Sequence, residues 1–171
     1  MSGGYSWDGD NSMSNQYKPS GKITSYNIDD VVSTLVSNST KEIGDGDIIV
    51  GSKSDTKSLH RCAKYVRIAM QKGGGNSVKI INDSRPESAC VYSKFLPTWG
   101  FSEVYSGFGA ELNGFIPQKG DIAVIAGTSE KQHGHIQIYD GSKYWISDYK
   151  DTKPWCYSDE GRPFKIFRWQ G

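Results

Sequence analysis

Three residues of this chain have side chains that, brought together, form a covalent bond to a carbonyl and move the proton this requires: Cys62, His135 and Asp148. Cys62 follows Ser58-Leu59-His60-Arg61 and falls in the first turn or two of an expected helix. A helix N-terminus and neighbouring cations both lower a thiol's pKa, and the thiolate is the nucleophilic form. The competing reading is a small buried residue on the core face of that helix. His135 opens an alternating stretch after Lys131-Gln132-His133-Gly134. An imidazole at a strand edge beside a flexible glycine suits a general base, and a plain surface histidine fits the same residues. Asp148 lies thirteen residues further on, where a returning strand would set it beside His135 to orient the imidazole and stabilise its charged form. Asp151 and Asp140 compete for that place, although Asp140 is more simply a turn residue, and an exposed Asp at a strand end is the bland alternative.

The elements that must position these groups are readable from periodicity. Asn27 caps a helix in which Ile28, Val31, Val32, Leu35 and Val36 share one face, with Asp29 and Asp30 in the first turn where the dipole favours them. Gly44-Asp45-Gly46-Asp47 is a turn and Ile48-Ile49-Val50 a short apolar piece. A second helix begins around Thr56 to Ser58, carries Leu59, Cys62, Ala63, Val66 and Met70 on one side, and ends at Gly73-Gly74-Gly75. A third follows Ser84, with Ser84-x-x-Glu87 as a capping box and Pro86 in its first turn, and Pro97 stops it. Beyond residue 100 the texture is that of strands. Ile122–Ala126 is a buried strand opened by Gly120-Asp121. His135–Tyr139 alternates, with Ile136 and Ile138 inward and His135, Gln137 and Tyr139 together on the other face. Asp140-Gly141 turns the chain, Tyr144–Tyr149 returns, and Phe164–Trp169 is the last strand. Helices first and an antiparallel sheet after them make an α+β layout.

Length and composition bound the function. The 171 residues make one domain's worth of chain. Lys+Arg of 20 against Asp+Glu of 19 gives a net charge of +1, which carries no footprint for nucleic acid or an anionic membrane. The longest aliphatic run is five residues, Ile122 to Ala126, against about 20 needed to span a bilayer. The first ten residues have neither the basic nor the apolar region of a signal peptide. The expectation is therefore synthesis in the cytoplasm; if the protein acts elsewhere, a route other than general secretion takes it there. Residues 1–22 lack Val, Leu and Ile and read as a low-complexity arm, either mobile or pinned by Tyr5, Trp7 and Tyr17; 23–171 read as a single domain. None of the three cysteines, Cys62, Cys90 and Cys156, forms a CxxC, and no Cys/His set has zinc spacing. In an oxidising compartment Cys90 and Cys156 either pair, leaving Cys62 free, or are unrelated buried thiols.

Three segments, Arg61-Cys62-Ala63-Lys64-Tyr65-Val66, Pro117-Gln118-Lys119-Gly120-Asp121-Ile122-Ala123-Val124-Ile125 and Gly134-His135-Ile136-Gln137-Ile138-Tyr139-Asp140-Gly141, occur in this order. Together they resemble the bacterial cell-wall cysteine peptidases and amidases of the NlpC and CHAP type. The resemblance covers about residues 55–150 and implies a papain-like fold, with N-terminal helices on a central antiparallel sheet. It implies Cys62 as nucleophile, His135 as base and Asp148 as orienting residue. Tyr65, one turn along from Cys62, and Gln137 would line the substrate site, with core packing the alternative for Tyr65. The segment 76–116 has no counterpart in that pattern. The implied reaction is thiol-mediated cleavage of an amide bond in peptidoglycan stem peptides, needing no metal or organic cofactor. With no signal peptide, the implied setting is an antibacterial type VI secretion effector acting in the periplasm of a target bacterium, with a cognate immunity protein that plugs the cleft. A phage endolysin of the same chemistry, a papain-like protease or deamidase toxin acting on a host protein, and a non-catalytic binding domain are the alternatives.

Overall fold

A computed structural model describes residues 4–9, 22–74, 88–109, 112–128, 133–157 and 161–171. Helix α1 spans Ile28–Asn38, and the Asn27 side chain accepts from Asp30 N, as the capping residue requires. Its buried face is Val31, Val32 and Leu35. A hairpin of β1 (Lys41–Ile43) and β2 (Ile49–Ser52) follows, closed by a turn at Gly46 with φ 71. Helix α2 is Cys62–Lys72, capped at Gly73. It begins later than the Thr56 to Ser58 expectation because His60, at φ 59, is left-handed, a conformation no α-helix continues through.

Helix α3 is Tyr92–Trp99, preceded by a 3₁₀ turn at Ala89–Val91. The capping box Ser84-x-x-Glu87 lies outside the described residues. Pro97 does not stop this helix. It sits inside α3, where its missing N–H removes one rung, and the end comes at Gly100 with φ 114.

The remaining strands are β3 (Phe101–Phe108), β4 (Ile122–Ile125), β5 (His135–Tyr139), β6 (Trp145–Ile146), β7 (Lys150–Asp151) and β8 (Pro163–Trp169). They form one antiparallel sheet in the order β3-β8-β4-β5-β6-β7. The fold is thus α+β, as expected. Strand β3 falls in the strand-textured stretch beyond residue 100 without having been singled out there, and the β1–β2 hairpin was not expected. The return from Asp140-Gly141 is shorter than Tyr144–Tyr149, because the chain leaves the ladder at Ser147 and turns Asp148 inward.

Both faces of the sheet are covered, which is why all four residues of β4 are buried instead of alternating. The helices supply one cover: Val31, Leu35, Val66, Met70, Tyr92 and Trp99 meet Ile122, Val124, Ile136, Ile138 and Phe167. Ala123, Ile125, Trp145, Phe164 and Ile166 face the other way, under Tyr105, Phe115, Trp155 and Tyr157. Of the N-terminal arm, residues 4–9 lie against this body. Ser6 and Gly127 exchange backbone hydrogen bonds of 2.9 and 2.8 Å, Trp7 packs on the core and Asp8 pairs with Lys94. Among the described residues no helix is long and apolar enough to cross a membrane.

Candidate active site

Cys62 is the first residue of α2 and is half-buried against the core. The segment before it is held by one carboxylate. Asp148 Oδ2 accepts from Leu59 N at 2.6 Å, Arg61 N at 3.3 Å and Ser58 Oγ at 3.3 Å, while Oδ1 accepts from Ser147 Oγ at 3.1 Å. Those bonds bracket His60 in its left-handed conformation and fix where α2, and so the thiol, begins. Asp148 itself is fully buried.

His135 starts β5 immediately after Gly134, and only 6% of it is exposed. A side chain on Gly134, at φ 65, would fall 2.1 Å from the Ile125 carbonyl oxygen and 2.9 Å from Cys90 Cβ, so the entry to β5 needs glycine. The Tyr157 hydroxyl donates to Gly134 O at 2.7 Å, and the Tyr149 ring lies 5.9 Å from the imidazole, centroid to centroid.

Cys62, His135 and Asp148 line one cavity of about 750 Å3, with Tyr149, Cys156 and Tyr157 on its wall. Burial dominates its electrostatics. It pushes the Cys62 thiol up to about 12, with the Asp148 carboxylate adding to the rise. The lowering expected from the helix N-terminus and the cations of the preceding segment is therefore outweighed. Burial also lowers the pKa of His135, opposed in turn by the Gln137 side chain, Asp148 and Asp151. Burial thus favours the neutral form of both the thiol and the imidazole.

The sequence-expected residues divide in three ways. Cys62 and His135 share the cavity. Asp148 shares it too and lies within electrostatic reach of His135. Its hydrogen bonds go to the segment before α2, and His135 Nε2 has no partner. Tyr65 and Gln137 do not line it. Tyr65 is fully buried, its hydroxyl donating to Lys41 O at 2.6 Å and accepting from Ile43 N at 3.0 Å, so it ties the β1–β2 hairpin to α2. Gln137 is fully buried behind His135, its Nε2 donating to Lys153 O and Pro154 O. A substrate-contacting role does not suit either position. Cys90 and Cys156 do not pair with each other: Cys90 is in the core, whereas Cys156 faces the same cavity as Cys62. The aromatic wall of Tyr149 and Tyr157 escaped the sequence reading, since nothing in its local spacing marks Trp155-Cys156-Tyr157 as part of a site. Among the described residues no group of three or more His, Cys, Asp or Glu is placed to hold a metal ion.

No protein-family model matches the chain, and none of the curated proteins does. Solved structures do. The native type VI effector–immunity complex Tae3–Tai3 from Ralstonia pickettii matches at 30% identity and a TM-score of 0.59, over 85% of this chain and 100% of its counterpart. The selenomethionine form of that complex matches at 30% identity and a TM-score of 0.55, over 81% and 98%. The chain belongs to the family of the type VI effector Tae3. Membership in this family extends the likeness well beyond the Cys62 to His135 interval, since the match takes in most of the chain.

Proposed function

We propose that this chain is a cysteine amidase that cuts an amide bond of peptidoglycan stem peptides and is delivered as an antibacterial type VI effector. The observation that carries the reading is that Cys62, at the start of α2, and His135 line one cavity, in a chain of the Tae3 effector family. A cysteine peptidase of the papain-like NlpC or CHAP kind works with that pair, and the α+β architecture is of the form such a fold takes.

The reaction begins from neutral partners. His135 takes the Cys62 proton as sulfur attacks the scissile carbonyl carbon, so the C–S bond forms as the S–H bond breaks. The first-turn N–H groups of a helix have no intrahelical acceptor, and the Cys62 N–H stabilises the oxyanion. Collapse of the tetrahedral intermediate breaks the C–N bond, and the imidazolium gives its proton to the leaving amine. Water, deprotonated by His135, then attacks the thioester; the acid leaves and the proton returns to sulfur. Asp148 acts by fixing the segment that launches α2 and by favouring the imidazolium through space. The partner in the producing cell is a cognate immunity protein that closes the cleft, and the place of action is the periplasm of the target.

Digestion of purified peptidoglycan with wild type and with Cys62→Ala, the products identified by mass spectrometry, tests this. Wild type should release muropeptides cut at one amide bond, and the variant should lose at least about 10³-fold of the rate, the scale on which covalent and acid–base catalysis act together. Cleavage that persists in Cys62→Ala would remove the thiol mechanism.

A further inference from the structure

His135 and Gln137 sit two residues apart on β5. The register pairs them with Ile125 and Ala123 of β4, so both side chains are on the sheet face away from the helices. Gln137 is fully buried. Its amide nitrogen is committed, donating to Lys153 O at 3.1 Å and Pro154 O at 3.0 Å, which orients the carboxamide and leaves Oε1 as its other end. That Oε1 has no hydrogen-bond partner, and neither does His135 Nε2. An unpaired buried polar atom is costly. Here one potential acceptor and one potential donor stand as neighbours on one face of one strand. Asp148 meanwhile directs its hydrogen bonds at Ser58, Leu59, Arg61 and Ser147.

We propose that Gln137 is the positioning residue for His135: its Oε1 accepts the Nε2–H and thereby sets the tautomer in which Nδ1 is the basic nitrogen. The assignment deepens the amidase reading and rests on it for its catalytic consequence. A carboxamide suits this buried setting. Its nitrogen is anchored by two backbone carbonyls, so it cannot flip, and it orients the ring without adding a second buried charge. The two carboxyl-side duties are then divided, with Gln137 holding the base and Asp148 holding the segment that carries the nucleophile.

The test uses the full chain labelled with 15N-histidine. There are three histidines, and His135→Gln assigns the signal of interest. Nitrogen–proton correlation spectra near neutral pH should show His135 as the Nε2–H tautomer with a slowly exchanging proton; an Nδ1–H tautomer overturns the proposal. Gln137→Met keeps the length but removes the acceptor. It should mix the tautomers and lower kcat for wall cleavage by about 10²-fold, with KM changed less than about twofold, the signature of impaired acid–base chemistry. Retention of the wild-type tautomer and kcat in Gln137→Met also overturns it. Should that variant not fold, the wild-type tautomer decides. Persistent cleavage by Cys62→Ala would instead defeat the amidase reading, while the tautomer result on the same protein still judges Gln137 by itself.

Discussion

At the scale of single residues, the cavity is governed by desolvation. A cysteine at a helix start beside Arg61 has the local features of an activated thiolate, yet burial pushes Cys62 up to about 12. His135 is moved the opposite way, below its ordinary 6.5, because burial disfavours the imidazolium. Gln137, Asp148 and Asp151 oppose that lowering, and the Tyr149 ring lies beside the imidazole. For stability the sign follows from linkage. A depressed folded-state pKa on His135 contributes stability that is present above about 6.5 and is lost as pH falls through the folded value. The raised Cys62 contributes below its ordinary 9.0 and is lost as pH rises toward about 12. For activity, a base that stays neutral below its usual pKa keeps working there. The acid limb of kcat/KM on peptidoglycan should lie below pH 6.5, and an acid limb at or above that value would contradict the assigned environment.

At the scale of elements, the site depends on where α2 and β5 begin. The start of α2 is fixed by three hydrogen bonds to Asp148, a residue 86 positions later than Cys62 in the chain. The start of β5 is fixed by Gly134, which has a positive φ and no room for a methyl group. Gly134→Ala should destabilise the protein by about 2–4 kcal/mol, from left-handed backbone strain added to contact with the Ile125 carbonyl. It should also cost most of the activity in the fraction that remains folded, since His135 is the next residue. Chemical denaturation read by tryptophan fluorescence, together with the wall-digestion rate, measures both. A variant as stable and active as wild type would show that the entry to β5 can relax.

At the scale of the whole molecule, the sheet is clamped from strand start to strand end. Asp121, fully buried ahead of β4, receives Arg168 of β8 through Nε at 2.8 Å and Nη2 at 2.7 Å, and Gln118 N at 2.8 Å. The pair holds the Gly120-Asp121 turn against the end of the last strand, far along the chain from the cavity. Asp121→Ala removes the acceptor of a bidentate pair and strands the guanidinium. The expected loss is about 2–4 kcal/mol, below the full cost of breaking a buried pair because Arg168 keeps some contact with water. Thermal unfolding should register this while kcat at a temperature where the variant is folded stays near wild type. A fall in kcat with unchanged stability would place Asp121 in the chemistry instead.

The sequence by itself determined the elements whose signals are local. The Asn27 cap, the apolar face of α1, the Gly73 stop, the buried β4 and the β5 alternation each need only a few neighbouring residues, so periodicity and capping rules reach them. It also marked Cys62 and His135 as the residues to watch, because their types and order suit thiol chemistry. Only the tertiary structure decided what depends on distant partners. Helix α2 starts at Cys62 and not at Thr56 because Asp148 holds the intervening backbone out of helical geometry. Tyr65 and Gln137 turn away from the cavity because their polar atoms find Lys41, Ile43, Lys153 and Pro154 elsewhere. The thiol is neutral because the surfaces that bury it come from other parts of the chain, including the segment carrying Cys156 and Tyr157. Dielectric environment and long-range hydrogen bonds are properties of the packed fold, and no local spacing encodes them.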